Sequence, residues 1–139
     1  MFSYPVTLEK DTNTGQVIVD FVDIPFAHSV GDDEDEALLN AVDALETAFE
    51  SLMGSRLAIP TASPINSRPC VTVPVLIAGK AALYNAMLES GSRKADLARK
   101  LNISPSLVDR LLSIRHKSRI EQIESALAIF GRRLLVEVQ

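Results

Sequence analysis

Cysteine is nearly missing from this chain of 139 residues: Cys70 is single, so no internal disulfide can staple the fold. Histidine is as scarce, and His28 and His116 lie too far apart in sequence to look like a metal cluster. No apolar run exceeds a few residues, which excludes a bilayer-spanning helix. Met1 to Val6 lacks the basic start and apolar stretch of a secretory signal. No Ser, His and Asp set, glycine-rich phosphate loop or cysteine nucleophile is recognisable. What remains is the composition of an ordinary folded protein, 47% hydrophobic and 23% charged. Its length suits one medium domain or two small ones and is too short for a multidomain enzyme. The expectation is a cytoplasmic protein without cofactor, metal or membrane contact.

One sign of charge is scarce in each half. Residues 1–74 hold Lys10, Arg56 and Arg68 against twelve acids, a net −9, whereas residues 75–139 hold eleven Lys or Arg against six acids, a net +5. An acidic half joined to a basic half predicts two domains, 1–75 and 76–139, with different partners, one of them a nucleic acid.

In the acidic half, Tyr4 to Glu9 and Gln16 to Val22 alternate apolar and polar residues and read as strands, with Asp11 to Gly15 as the hairpin loop between them. Asp23-Ile24-Pro25 breaks the ladder, and Ala27 to Val30 is a short third strand. The acidic run Asp32 to Glu36 precedes Ala37, Leu38, Ala41, Val42, Leu45, Ala48, Phe49 and Leu52, the spacing of an amphipathic helix ending at Gly54. Asp33 then caps that helix, Glu36 completes a capping box, and the remaining acids suit the positive end of the dipole. Their second use is as a docking surface for a cationic partner. Leu57 to Pro69 is a proline-punctuated loop, and Cys70 to Val75 a last strand.

Strand, strand, strand, helix, strand is an α+β layer of the kind a truncated ribonuclease H fold would give. Metal-dependent phosphodiester cleavage needs carboxylates converging from strand and helix. The first strand centres on Thr7 and the last contains no acid, which leaves Asp20, Asp23, Asp43 and Glu46 as scattered surface carboxylates. Catalysis is therefore not expected.

In the basic half, helices are predicted over Lys80 to Glu89, Arg93 to Leu101 with Ser92 as cap, a third opened by Ser104-Pro105, and Arg119 to Phe130. The second and third, joined by Asn102-Ile103-Ser104 with Ala98 at the crossing, form a helix-turn-helix pattern. Any helical hairpin can mimic this pattern, but the charges bracket it: Arg93, Lys94, Arg110, Arg115, Lys117 and Arg119. The outward positions of the third helix are Ser106, Asp109, Arg110 and Ser113. There Arg110 is suited to a guanine edge, while Arg93 and Lys94 are suited to phosphates. The expected DNA-binding set is Ser92, Arg93, Lys94, Ser104, Ser106, Asp109, Arg110, Ser113, Arg115 and Lys117.

Tyr4-Pro5-Val6-Thr7-Leu8, Val19 to Pro25, Ile59-Pro60 to Ser63-Pro64, Val73-Pro74-Val75 and Asp96 to Lys100 together resemble the HicB antitoxins that carry a helix-turn-helix tail. The resemblance implies a degenerate ribonuclease H-like domain masking HicA, a small basic mRNA-cleaving toxin, and a tail that represses the shared operon at operator DNA. Beside it, the acidic field of residues 1–74 would attract an RNA-binding protein and speed its association. Asp20, Asp23, Asp32, Asp33 and Asp35 are the candidate charges, and Ile24, Pro25 and Phe26 the candidate apolar anchor. Phe21 serves either as anchor or as core. Leu134, Leu135, Val136 and Val138 read as a final strand that pairs with a second copy, giving a dimer or tetramer, or that packs on the chain's own helices. A ligand-responsive transcriptional regulator with an acidic sensor domain is the alternative function.

Overall fold

The computed structural model describes residues 2–138. It divides into two compact units, Met1–Leu52 with Pro60–Val73, and Met53–Ile59 with Pro74–Gln139.

The first unit is a four-stranded antiparallel sheet, β1 (Ser3–Lys10), β2 (Val17–Phe21), β3 (His28–Gly31) and β4 (Cys70–Thr72), in the order β3-β2-β1-β4. One face is covered by α1 (Glu34–Gly54). The β1–β2 turn closes because Asp11 accepts twice, at Oδ1 from the Asn13 amide and at its carbonyl from the Gly15 amide, both at 2.8 Å, while Gly15 supplies the left-handed φ of 75°. Tyr4, Val6, Val19 and Phe21 are buried on the sheet, as are Ala41, Leu45, Ala48 and Phe49 on α1. Tyr4 packs edge-on against Phe49 with centroids 5.9 Å apart and donates its hydroxyl to the Pro60 carbonyl at 2.6 Å. Burial, with the Asp23 carboxylate second, pushes its phenol well above the ordinary range. The cap of α1 is the expected one, the Asp33 carboxylate accepting from the Glu36 amide at 2.8 Å. The first turn of α1 then lies directly on β3: Ser29 Oγ donates to the Ala37 carbonyl at 2.7 Å, and a Cβ on Gly31 would stand 2.3 Å from the Ala37 nitrogen.

The second unit packs α2 (Val75–Ser90), α3 (Lys94–Leu101), α4 (Pro105–Leu112) and α5 (Ile120–Ile129) around Leu83, Leu97, Val108, Leu111, Ile123 and Leu127. Gly79 lets α2 and α5 approach, since a Cβ there would meet Ile123 Cγ2 at 2.8 Å. Asn85 clamps the Ile59 backbone, accepting from its amide and donating to its carbonyl at 2.9 Å each, and Tyr84 donates to the Leu57 carbonyl. Those bonds bring residues 53–59 into this unit.

Four local expectations are corrected. The last strand stops at Thr72 rather than Val75, because Pro74 cannot donate to a ladder and its fixed φ of −53° instead opens α2. Consequently α2 begins at Val75, not Lys80. Ser92 does not cap α3: Gly91 is left-handed, the Ser92 amide returns to the Met87 carbonyl and so completes the end of α2, and Arg93 takes the cap position with its amide on the Asp96 carboxylate. Finally, residues 132–138 form no strand. Among the described residues the second unit offers no sheet edge for Leu134 to Val138 to pair with; Leu134 instead packs against the chain's own helices, the alternative expected, while Leu135, Val136 and Val138 are exposed.

Candidate functional site

On the first unit the acidic and apolar candidates separate into those at the surface and those inside. Asp20 lies on the sheet face opposite the core, in register with Thr7 and His28. Asp32, Asp33 and Asp35 are exposed at the start of α1, with Gln16 Nε2 donating to Asp32 Oδ1 at 3.3 Å. Phe26 is 54% exposed and lines a groove of about 310 Å³ together with Ala27, His28, Ala44, Thr47, Ala48 and Ser51. Pro25 is exposed beside it.

Two other candidates have structural duties. Ile24, expected in the anchor, is 1% exposed and packs in the core, because the chain turns inward after β2 as the Ala27 amide closes onto the Ile24 carbonyl. Asp23, expected as a free surface acid, accepts from the Ser63 amide at 2.8 Å and from Ser63 Oγ, tying the proline-rich loop to the sheet. Phe21 is core.

On the second unit, α3 and α4 are joined by three residues, with Asn102 in the left-handed conformation at φ 55°. Ser104 Oγ accepts from the Leu107 amide at 3.2 Å and Pro105 occupies the first turn, so the start of α4 is locally encoded. Val108, Leu111 and Leu112 point inward, which leaves Ser106, Asp109, Arg110 and Ser113 on the exposed side. Arg93, Lys94, Arg115 and Lys117 are exposed as well, and Ser92 is half-buried. Lys94 is not free to roam: its Nζ meets Asp109 Oδ1 at 2.7 Å and so joins the start of α3 to the outer face of α4.

The residue that sequence reasoning missed is Lys80. A lysine on the first turns of a helix reads as solvated, yet Lys80 is fully buried. Its Nζ donates to the Arg110 carbonyl at 2.8 Å, the Ser113 carbonyl at 2.7 Å and Ser118 Oγ at 2.9 Å. Burial draws its pKa down from 10.5 to about 8. The one available signal was its position amid the apolar residues Leu76, Ile77, Ala81 and Leu83.

A family model for HicB-like antitoxins of bacterial toxin-antitoxin systems matches residues 3–82, more than half of the chain. The chain belongs to this HicB-like antitoxin family. Its full length is similar to known members: it is 42% identical to Antitoxin HicB of Pseudomonas fluorescens strain Pf0-1, over all of this chain and 95% of that one. It is 41% identical to Antitoxin HicB 2 of Photorhabdus laumondii, over 94% of this chain and 92% of the relative, and 36% identical to Antitoxin HicB of Escherichia coli K12, over 94% and 95%. Membership in the HicB family supports an antitoxin role and implies a toxin as partner. The family model ends within α2, so α3, α4 and α5 are matched through the full-length relatives alone.

Proposed function

We propose that this HicB-family chain binds and inhibits a small basic mRNA-cleaving toxin of the HicA type, and that it represses the operon encoding both by binding operator DNA. In this reading the first unit is a degenerate ribonuclease H-like domain without catalysis. Toxin contact is made by Pro25 and Phe26 as the apolar anchor, with Asp32, Asp33 and Asp35 at the start of α1 and Asp20 on the outer sheet face supplying the attracting charge. The α3–α4 pair is a helix-turn-helix: Arg110, Ser106 and Ser113 face base edges, and Arg93, Arg115 and Lys117 face phosphates. Lys94 reaches a phosphate while held by Asp109. Leu134 to Val138 pair with a second copy, so that the strand forms only in a dimer or tetramer.

The observation that carries the reading is that the acidic half exposes both a phenylalanine beside a groove and a set of carboxylates, while the basic half exposes cations on a helical pair. A basic ribonuclease is drawn to the first by the same field that draws it to RNA, and the apolar groove supplies residence time. Coexpression with the product of the adjacent reading frame tests it. Copurification of a small basic protein whose mRNA cleavage stops in the complex is expected, and so is a gel shift of the promoter fragment by the full chain. Free cleavage in the presence of excess antitoxin overturns the toxin half, and no shift at low salt overturns the DNA half.

A further inference from the structure

A buried ammonium is costly unless its protons are satisfied, and a methionine of similar volume would pack α2 at less cost. Lys80 has no carboxylate partner among the described residues. All three of its protons go instead to one place, the end of α4 and the turn that follows. Arg110 and Ser113 are at the C-terminus of α4, where the dipole is negative and the carbonyls accept only tight turn bonds, Arg110's from the Ser113 amide and Ser113's from the His116 amide at 3.2 Å each, which leaves each a lone pair for the ammonium. No glycine closes that end: Ser113 is in the extended conformation at φ −79° and ψ 117°. The Ser118 hydroxyl also lies within reach of the Arg110 carbonyl at 3.3 Å and of His116 Nδ1 at 3.1 Å, so the far end of the turn is tied to the same group. Between these ties lie Ser113, Arg115 and Lys117, with Arg110 just before them.

We propose that Lys80 is the positioning residue of the operator-reading surface: from inside the unit its ammonium fixes the end of α4 and the 113–118 turn, and thereby the angle at which Arg110 and Ser113 meet base edges and Arg115 and Lys117 meet phosphate. This rests on the DNA-binding reading above. Sequence selection needs side chains held in one geometry, whereas phosphate attraction needs only charge. Loosening the turn therefore costs discrimination before it costs attraction.

The test uses the full-length protein at a temperature where circular dichroism shows each variant folded. Affinities for the operator fragment and a scrambled duplex are measured across a salt series for wild type, Lys80→Met and Ser118→Ala. Lys80→Met is expected to weaken operator binding by about tenfold or more, the scale of one lost base contact, while scrambled-duplex affinity and the salt slope stay within about twofold. Ser118→Ala, which removes one acceptor at the edge of the site, is expected to lose about threefold in the same ratio; it carries the test if Lys80→Met does not fold. An unchanged ratio of operator to scrambled affinity in folded variants, whatever their melting temperatures, overturns the inference and leaves the DNA-binding reading intact. A wild type that does not discriminate between the duplexes overturns both.

Discussion

Replacing Phe26 with alanine separates packing from docking at a single side chain. A phenylalanine offers roughly 200 Å² of surface. With 54% exposed, about 110 Å² is open in the free protein and about 90 Å² already rests on its neighbours. At about 25 cal/mol per Å² the covered part contributes about 2 kcal/mol to folding, a fall of about 10 °C in melting temperature for a unit of this size. If the toxin covers the open part, its loss costs binding up to about 2.7 kcal/mol, or up to roughly 100-fold in Kd. The loss should fall on dissociation, because a desolvated anchor governs residence time while charge governs encounter. Stopped-flow association, dissociation by competition and an mRNA cleavage assay at 25 °C read the parts separately, with circular dichroism confirming that the variant is folded. A Kd within threefold of wild type, with the expected loss of stability present, refutes the placement of Phe26 in the interface. An unchanged melting temperature refutes the packing arithmetic.

Neutralising the α1 acids as Asp32→Asn, Asp33→Asn and Asp35→Asn together should slow toxin association severalfold and flatten its salt dependence with dissociation unchanged; asparagine at 33 keeps an acceptor for the Glu36 amide, so the melting temperature checks that the helix cap survives. Arg110→Ala should relax preference at one operator base pair by about 1 to 3 kcal/mol, read from affinities for single-base variants of the operator. Lys94→Ala should weaken binding to every duplex about equally and lower the salt slope by about one, since it removes a cation near phosphate and releases Asp109. The folded pKa of Lys80, about 8, lies below its ordinary 10.5, so between those values the unfolded chain binds the proton that the folded chain has released. The stability of wild type relative to Lys80→Met should therefore rise with pH across that window, read from urea midpoints at pH 7.5 and 9.5.

Local patterns were legible. Ala37, Ala41, Leu45, Ala48 and Phe49 recur at helical spacing and bury one face of α1; Val17, Val19 and Phe21 alternate and bury one face of β2; Ser104-Pro105 opens α4 with bonds made inside one turn. Each is decided by neighbours within a few residues, so periodicity and capping chemistry suffice. The blocks of residues behind the family resemblance are likewise continuous in sequence. The exposure of Ser106, Asp109, Arg110 and Ser113 followed from the inward set of the same helix.

Long-range partners decided the rest. Asp23 looked like a free acid until the fold brought Ser63, forty residues later, to its carboxylate, and Ile24 looked like an anchor until the turn after β2 carried it inside. Leu134 to Val138 have the residues of a strand but no edge among the described residues of their own unit, and a strand exists only through its partner. Lys80 is the clearest case: composition placed it with the solvated cations, and only the crossing of α2 behind the end of α4 put three acceptors around its nitrogen, thirty to thirty-eight residues away. By itself the sequence determined the periods, the caps, the charge of each half and the family, because those are properties of nearby residues or of their order. The tertiary structure alone decided which polar groups are buried and who satisfies them, because a buried donor must find its acceptor wherever packing brings one.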